Sequence, residues 1–255
     1  MMAVLIDIDG VLTLSWRPLP GAVEALRRLR EDGQDFALLT NTTSRTRASI
    51  AAVLVDGGFP VGTEDIFTAP VLTGRYLRAH YPDARCFLLN SGDIADDLDG
   101  VRLVEDEPEV VVVGGAGPEF GYPELNRVFG FLQAGAKLVA MHRNLYWRTD
   151  AGLQLDTGAF LLGLERAAGV EAEIVGKPAE AFFVSALAAL DASPAGSFMI
   201  GDDIEADVLA AQACGLTGVL VRTGKYRPET DTGEADHVVG GFGDVPELIR
   251  RSPRS

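Results

Sequence analysis

Short apolar runs alternate with amphipathic segments along the first part of the chain. The run at 3–6 is followed closely by Gly10, a pattern typical of a buried strand in a parallel sheet. Apolar residues recurring on one face predict a helix at about 20–32, followed by a strand at 35–39 and a helix at 45–55. This order of elements, joined by short loops, predicts an α/β fold with a parallel sheet flanked by helices.

A second series of strands and helices begins after residue 78. Its predicted strands fall at 85–89, 101–104, 109–114, 137–141 and 172–175, and a small hairpin is predicted across 145–155. The opening pattern then resumes, with strands predicted at 197–200, 218–221 and 237–239. We therefore expect a core formed by residues 1–78 and 176–255, into which residues 79–175 are inserted as an α/β lid of domain size.

Polar side chains stand at predicted strand ends or helix starts in four places. These are Asp7 with Asp9, Thr40 with Asn41, Lys177, and Asp202 with Asp203. Parallel strands bring their carboxyl ends to one edge of a sheet, where ligands bind in open α/β folds. Carboxylate oxygens suit Mg²⁺, whereas hydroxyl, backbone N–H and ammonium groups suit phosphate oxygens. The set therefore predicts a magnesium–phosphate site.

Each of these features also has a simpler interpretation. Thr40, Asp202 and Asp203 can each be a strand end or a helix cap, and Lys177 can be a solvated side chain. The combination favours a shared site, because all four features would otherwise have to fall at one sheet edge by chance.

Composition narrows the classes of partner. The 255-residue chain carries a formal net charge of −15, which argues against nucleic acid and anionic membrane surfaces. Its two cysteines, Cys86 and Cys214, have no ligand or disulfide spacing and suit a reducing compartment. The sequence shows no signal peptide and no apolar run long enough to span a bilayer. We therefore expect a cytoplasmic protein with a small-molecule partner.

Four motifs, in this order, resemble those of the haloacid dehalogenase-like (HAD) hydrolase superfamily. They are Asp-Ile-Asp-Gly-Val at 7–11, Leu-Leu-Thr-Asn at 38–41, Gly-Lys-Pro at 176–178 and Gly-Asp-Asp-Ile-Glu-Ala-Asp at 201–207. The segment Val-Arg-Thr-Gly-Lys-Tyr-Arg-Pro is similar to the branch that contains p-nitrophenyl phosphatases, NagD-type phosphatases and, most similar of these, phospholysine phosphohistidine inorganic pyrophosphate phosphatase. The resemblance implies a Rossmann-like HAD core with an inserted α/β cap, which is the lid.

The resemblance also implies roles for the residues in these motifs. Asp7 would be the nucleophile that forms an aspartyl-phosphate, and Asp9 would be the general acid and base. Mg²⁺ would be held by Asp7, the main-chain carbonyl of Asp9, and Asp202. The phosphoryl oxygens would be bound by Thr40, Asn41 and Lys177. Asp207 would support Lys177 or a metal-bound water, and Asp203 would be either a ligand to such a water or a helix cap.

One lid loop, at 142–148, is expected to select the substrate. Its candidate specificity residues are His142, Arg143, Asn144 and Tyr146. The same loop also fits an interpretation in which it is anchored by a buried aromatic side chain and has no contact with substrate. Trp16 and Arg45 are expected to close against the lid from the core.

The implied activity is that of a Mg²⁺-dependent phosphatase acting on a small phosphorylated metabolite, either a phosphomonoester or a pyrophosphate-type compound. Two alternatives are kept. One is dehalogenase or phosphonatase chemistry, although dehalogenases use no metal and a phosphonatase would need Lys137, the lid's only lysine, as its Schiff-base residue. The other is a catalytically silent binding protein with the HAD fold. A homo-oligomer formed through the lid is compatible with the sequence.

Overall fold

Two parallel sheets organise the chain, which the computed structural model describes at residues 1–149, 152–231 and 233–251. The strands are β1 Val4–Asp7, β2 Thr13–Leu14, β3 Arg17–Pro18, β4 Phe36–Thr40, β5 Ile66–Thr68, β6 Arg85–Leu89, β7 Arg102–Leu103, β8 Val110–Val113, β9 Lys137–Ala140, β10 Tyr146–Thr149, β11 Gly152–Leu155, β12 Glu173–Ile174, β13 Phe198–Gly201, β14 Thr217–Val221 and β15 His237–Val239. The helices are α1 Ala22–Glu31, α2 Arg47–Asp56, α3 Ala69–His80, α4 Tyr122–Gln133, α5 Thr157–Ala168, α6 Glu180–Ala189, α7 Ala210–Ala213 and α8 Val245–Arg251.

Shorter helical turns complete the described elements. Ile204–Leu209 form a π-helix that continues into α7, and 3₁₀ turns lie at Thr63–Asp65, Ala95–Leu98, Pro228–Thr230 and Phe242–Asp244. Among the described residues, no helix combines the length and the apolar character needed to cross a membrane.

The six-stranded core sheet has the order β15-β14-β13-β1-β4-β5, and all its strands run parallel. Strand β1 lies at its centre, where Ile6 pairs with Ile200 on one side and Leu38 on the other. The carboxyl ends of β1, β4 and β13 therefore meet at one edge of the sheet. This confirms the predicted α/β fold. It also brings together the strand ends from which the site was predicted.

The second sheet lies in the lid and has the order β12-β9-β8-β6-β7, also parallel. The predicted hairpin is present as antiparallel β10 and β11, although its turn residues Asp150 and Ala151 lie outside the described residues. The insertion of a separate α/β sheet agrees with the sequence. The exact domain boundaries after residues 78 and 175 stay a prediction.

One apolar cluster joins the two sheets. It includes Leu39 and Phe182 from the core together with Val112 and Met141 from the lid, all fully buried. Burying a large apolar side chain contributes roughly 1.5–3 kcal/mol to folding. Lid and core are therefore packed together near the edge where the polar side chains converge.

The sequence pattern predicts no regular element in the segment between β1 and α1. Strands β2 and β3 form a small antiparallel hairpin, with Ser15 and Trp16 as its two loop residues. Their φ angles are 48° and 65°. These values lie in the left-handed region that two-residue hairpin loops require and that residues other than glycine seldom adopt. Because neither residue is a glycine, the sequence carries no signal for this turn. The hairpin places Trp16 at its tip.

Candidate active site

A buried lysine lies between two carboxylates at the edge of the core sheet. Asp7 ends β1, and its Oδ1 accepts a hydrogen bond from Nζ of Lys177. The same Nζ lies 2.7 Å from Oδ1 of Asp207. Burial lowers the pKa of Lys177, but Asp207 and Asp7 more than offset this and raise it above its ordinary value. The lysine therefore stays a cation, and its charge is already shared by two acids.

The side chain of Asn41 holds Lys177 in place. Its Nδ2 donates to the main-chain oxygen of Lys177 over 2.9 Å, and its Oδ1 accepts from the main-chain N–H of Lys177 over 3.0 Å. The side chain of Asn41, a residue that the resemblance assigned to phosphate binding, is thus engaged with the backbone of the lysine loop. A phosphate contact of Asn41 stays a prediction, and it would have to use the main-chain N–H.

A chain of hydroxyl groups connects Thr40 to Asp9. The hydroxyl of Thr40 donates to that of Thr42 over 2.9 Å, and the Thr42 hydroxyl donates to Oδ2 of Asp9 over 3.0 Å. Burial raises the pKa of Asp9, and the Thr42 hydrogen bond opposes part of that rise. Asp9 therefore retains a proton more readily than an ordinary carboxyl, as a general acid must. Thr42 was not predicted, although it follows the Thr40-Asn41 pair directly.

Two glycines close over the carboxylate of Asp202. A Cβ built at Gly10 or at Gly224 would lie 2.0 Å from Oδ2 of Asp202, and both glycines have positive φ, 87° and 60°. The main-chain N–H of Lys225 donates to the same oxygen over 2.7 Å. Only glycine allows the two loops to approach this carboxylate so closely. The orientation of Asp202 is consequently fixed by backbone atoms.

Three buried carboxylates form a cluster that fits a divalent cation. Oxygens of Asp7, Asp202 and Asp207 lie within 4.8 Å of one another. Burial, together with the neighbouring acids, raises the pKa of Asp7 well above its ordinary value despite Lys177. Burial likewise raises the pKa of Asp202 to about 7. One ammonium group therefore does not neutralise the cluster, and hard oxygen donors with excess negative charge suit Mg²⁺.

The carboxylate of Asp9 points to Thr42 and is not part of this cluster. This is compatible with the expected use of its main-chain carbonyl as a metal ligand, which stays a prediction. Asp207 has the contact to Lys177 that the resemblance implied.

Asp203 is a helix cap that also carries an ion pair. Its Oδ1 accepts from the main-chain N–H groups of Glu205 and Ala206, and its Oδ2 lies 3.1 Å from Nζ of Lys225. Burial raises the pKa of Asp203, but Lys225 and the Ala206 N–H more than offset this and lower it. Lys225 was not predicted as a site residue. It lies in the loop four residues after the end of β14, whereas Asp202 directly follows β13.

A cavity of about 330 Å³ joins this edge to the lid. All eight core residues predicted for the site line it: Asp7, Asp9, Thr40, Asn41, Lys177, Asp202, Asp203 and Asp207. From the lid loop, His142 and Asn144 line the same cavity. Burial lowers the pKa of His142, so its ring is neutral near pH 7. These two positions support the interpretation in which the loop faces the substrate.

The other two predicted specificity residues have different neighbours. Arg143 pairs with Glu165 of α5 over 2.5 Å, and the Arg227 guanidinium lies 5.8 Å from the centre of the Tyr146 ring. Neither Arg143 nor Tyr146 is among the described residues that line the cavity. A contact of either with substrate stays a prediction without geometric support. Lys137, which a phosphonatase would need, is exposed at the start of β9.

Aromatic side chains line the cavity from both sides. Trp16 comes from the core hairpin and Trp147 from the lid. The Arg45 guanidinium lies 5.2 Å from the centre of the Trp16 ring. Trp16 thus lines the cavity together with lid residues, and Arg45 lies over its ring. Closure of these two side chains against the lid stays a prediction.

Comparison with known proteins agrees with this geometry. The model for haloacid dehalogenase-like hydrolases matches residues 4–103, and a HAD-hydrolase-like model matches residues 174–245. Phospholysine phosphohistidine inorganic pyrophosphate phosphatase of Xenopus laevis is 37% identical over 242 residues, which cover 90% of this chain and 86% of that protein. The chain belongs to the haloacid dehalogenase-like hydrolases.

Solved structures of this family have the same fold. The p-nitrophenyl phosphatase from Archaeoglobus fulgidus superposes with a TM-score of 0.88 at 28% identity, covering 96% of this chain and 98% of that one. NagD from E. coli K-12 superposes with a TM-score of 0.84 at 25% identity, covering 96% of this chain and 98% of that one. The recognised branch is thereby confirmed, and the chain is an enzyme of the HAD phosphatase class.

Proposed function

We propose that this HAD phosphatase is Mg²⁺-dependent and hydrolyses a small phosphorylated metabolite through an aspartyl-phosphate on Asp7. The observation that carries the proposal is the buried cluster of Asp7, Asp202 and Asp207, with Lys177 between two of its acids, at one end of a cavity covered by the lid. A cavity of about 330 Å³ has room for a small molecule.

The residues divide the two chemical steps between them. A carboxylate oxygen of Asp7 attacks phosphorus in line, and the bond from phosphorus to the leaving oxygen breaks as Asp9 donates its proton to that oxygen. Asp9 then accepts a proton from the water that attacks the aspartyl-phosphate, which releases phosphate and restores Asp7. Lys177 and the Thr40 hydroxyl stabilise the phosphoryl oxygens. Mg²⁺, held by Asp7 and Asp202, would offset the repulsion between nucleophile and substrate.

The raised pKa of Asp9 favours phosphomonoesters of ordinary alcohols as substrates. An alkoxide leaving group needs a proton as the bond breaks, whereas a nitrophenolate does not. A proton-retaining carboxyl hydrogen-bonded to Thr42 supplies what a poor leaving group requires. A pyrophosphate-type substrate is the second candidate, since the similar Xenopus laevis protein is named for that activity.

Trapping the intermediate tests this assignment. Asp9→Asn is expected to be phosphorylated by p-nitrophenyl phosphate and to accumulate the phosphoenzyme, because its hydrolysis lacks a general base. The same variant should turn over an alkyl phosphate at least about 100-fold more slowly than the wild type. Acid quenching followed by mass spectrometry locates the phosphoryl group. Phosphate on any residue other than Asp7, or no Mg²⁺ requirement for labelling, would contradict the mechanism.

Metal binding should depend on pH through the raised pKa of Asp202. Burial raises the pKa of Asp202 to about 7 in the folded protein without metal, whereas the unfolded chain loses this proton near the ordinary aspartate pKa of 3.8. This group's contribution to stability is therefore greatest at low pH and is lost as pH rises from about 4 to 7. Mg²⁺ competes with that proton for the carboxylate.

We expect 5 mM Mg²⁺ to raise the Tm by roughly 5 °C at pH 8 and by less than about 1 °C at pH 5. Differential scanning fluorimetry with and without EDTA measures both values. In Asp202→Asn, whose side chain does not titrate, the Mg²⁺-induced shift should be small at both pH values. An equal shift at pH 5 and pH 8 in the wild type would count against metal binding by this cluster.

A further inference from the structure

The lid contributes one formal charge to the cavity. Of the described lid residues that line it, Asp156 is the only one with an acidic side chain, and none is a lysine or an arginine. The residue is 8% exposed, and its Oδ1 accepts from the main-chain N–H groups of Thr157 and Ala116. This bonding makes Asp156 the N-cap of α5. A cap alone would explain its presence but not its position on the cavity wall.

Among the described residues, no lysine or arginine pairs with Asp156. The imidazole of His142 is nearby, with its Nε2 3.9 Å from Oδ1 of Asp156. The main-chain N–H of Asn144 points to Nδ1 of His142 over 3.4 Å, which favours the tautomer with its proton on Nε2. His142 therefore presents a neutral donor beside Asp156. Within the described part of the chain, the Asp156 carboxylate is thus accompanied by backbone N–H groups and a neutral imidazole, and by no cationic side chain.

Indole rings lie on both sides of the same space. Trp147 lines the cavity although 42% of its surface is exposed, and Trp16 faces it from the core hairpin. Tryptophan is the aromatic side chain that attracts cations most strongly over its ring face. The Arg45 guanidinium already lies over the Trp16 ring, so one of the two indoles has a cationic partner in the chain.

The whole cavity has an excess of negative charge. Its acids are Asp7, Asp9, Asp156, Asp202, Asp203 and Asp207, and its lysines are Lys177 and Lys225. One divalent ion, together with the proton that Asp9 holds as general acid, still leaves the formal charge negative. Phosphate is accommodated by that ion and by Lys177, so the remaining field acts on the rest of the substrate. A cationic leaving group is attracted by this field, and an anionic one is repelled.

We propose that the lid side of the cavity selects phosphomonoesters whose alcohol carries a positively charged nitrogen, with that nitrogen placed between Trp147 and Asp156. The assignment rests on the proposed phosphatase function and narrows its substrate class. It disfavours leaving groups that are themselves anionic, including the phosphate released from pyrophosphate.

Three small substrates that differ in charge test the proposal. O-Phosphoethanolamine, 2-hydroxyethyl phosphate and 2-phosphoglycolate have cationic, neutral and anionic leaving groups of similar length. We expect kcat/KM to fall about tenfold at each step in that order, which corresponds to about 1.4 kcal/mol per step. Phosphocholine and 3,3-dimethylbutyl phosphate form a second pair with the same shape, in which carbon replaces the charged nitrogen. The cationic member should again be favoured.

Variants assign the preference to the named side chains. Asp156→Asn keeps a helix-capping side chain, so the fold is retained while the charge is lost. It should reduce the preference for phosphoethanolamine over 2-hydroxyethyl phosphate about tenfold, chiefly through a lower kcat/KM for phosphoethanolamine. Trp147→Leu should weaken the preference for phosphocholine over its carbon isostere, whereas Trp147→Phe should largely preserve it. Glu165→Gln removes a charge from the same helix at the Arg143 pair and serves as the matched control.

Each outcome has a distinct meaning. Equal kcat/KM for the three charge types, or an Asp156→Asn variant that loses all substrates equally, would overturn the selectivity proposal while leaving the phosphatase function intact. Faster turnover of the neutral than of the cationic substrates would also overturn it. If neither these compounds nor p-nitrophenyl phosphate were hydrolysed in an Asp7-dependent manner, the proposed function itself would fail.

Discussion

Asp7→Asn is expected to lower phosphatase turnover at least about 10⁴-fold without weakening the metal-free fold. The amide is nearly isosteric with the carboxylate but cannot act as the nucleophile. Asp7 is buried beside two other acids, and its raised pKa shows that its negative charge is disfavoured there even with Lys177 in contact. Removing that charge leaves Lys177 paired with Asp207, so the Tm without metal should be unchanged or higher.

The measurements are turnover of p-nitrophenyl phosphate and thermal unfolding with EDTA. Asp97→Asn is a suitable control, because Asp97 is a half-buried acid that accepts a hydrogen bond from the Arg47 N–H away from the cavity. Its turnover should match that of the wild type. An active Asp7→Asn enzyme would refute the nucleophile assignment. An inactive variant with a much lower Tm would instead show that Asp7 is structurally required, contrary to the charge argument.

The sequence predicted those parts of the site that depend on strand ends. Asp7, Thr40 and Asp202 each follow a short apolar run, and parallel pairing brings such positions to one edge irrespective of loop details. Lys225 lies four residues beyond the end of β14, so its place in the site depends on the course of that loop. A strand order with β1 at the centre could not be derived from local pattern, because it depends on pairing between residues about 190 positions apart.

Side-chain orientation was the part that the sequence could not supply. The Leu-Leu-Thr-Asn motif predicts that Asn41 binds phosphate, yet its side chain binds the backbone of Lys177, 136 residues away. In the lid loop, His142 and Asn144 face the cavity while Arg143 turns to Glu165. This alternation is visible only when the backbone course of the loop is known.

A second failure of the sequence pattern concerns helix type. The hydrophobic pattern of residues 204–214 is typical of a regular helix, but the segment begins as a π-helix. The main-chain oxygen of Asp203 accepts from the N–H of Asp207 over 3.1 Å and from that of Val208 over 3.3 Å. The second of these hydrogen bonds joins residues five positions apart and widens the first turn. This turn contains Asp207, which contacts Lys177. Hydrophobic periodicity over so few residues does not distinguish the two helix types.

Lys177→Met is expected to impair both stability and turnover. The change keeps much of the side-chain volume but leaves Asp7 and Asp207 without their shared cation in a buried site. Removing one partner of a buried ion pair costs about 3–5 kcal/mol. For a chain of this length, the Tm in EDTA should therefore fall by roughly 10 °C. Turnover should fall at least about 100-fold, because the cation that stabilises the phosphoryl oxygens is lost.

A second substitution separates the two effects of losing Lys177. In Lys177→Met/Asp207→Asn one of the uncompensated acids is also removed, so most of the lost Tm should return while turnover stays low. Lys137→Met, at an exposed lysine on β9, is the control and should alter neither property. If the double variant regained turnover together with stability, Lys177 would act only by neutralising buried acids. If the single variant kept the wild-type Tm in EDTA, the two carboxylates would have to be protonated there, and its Tm would then fall as the pH is raised.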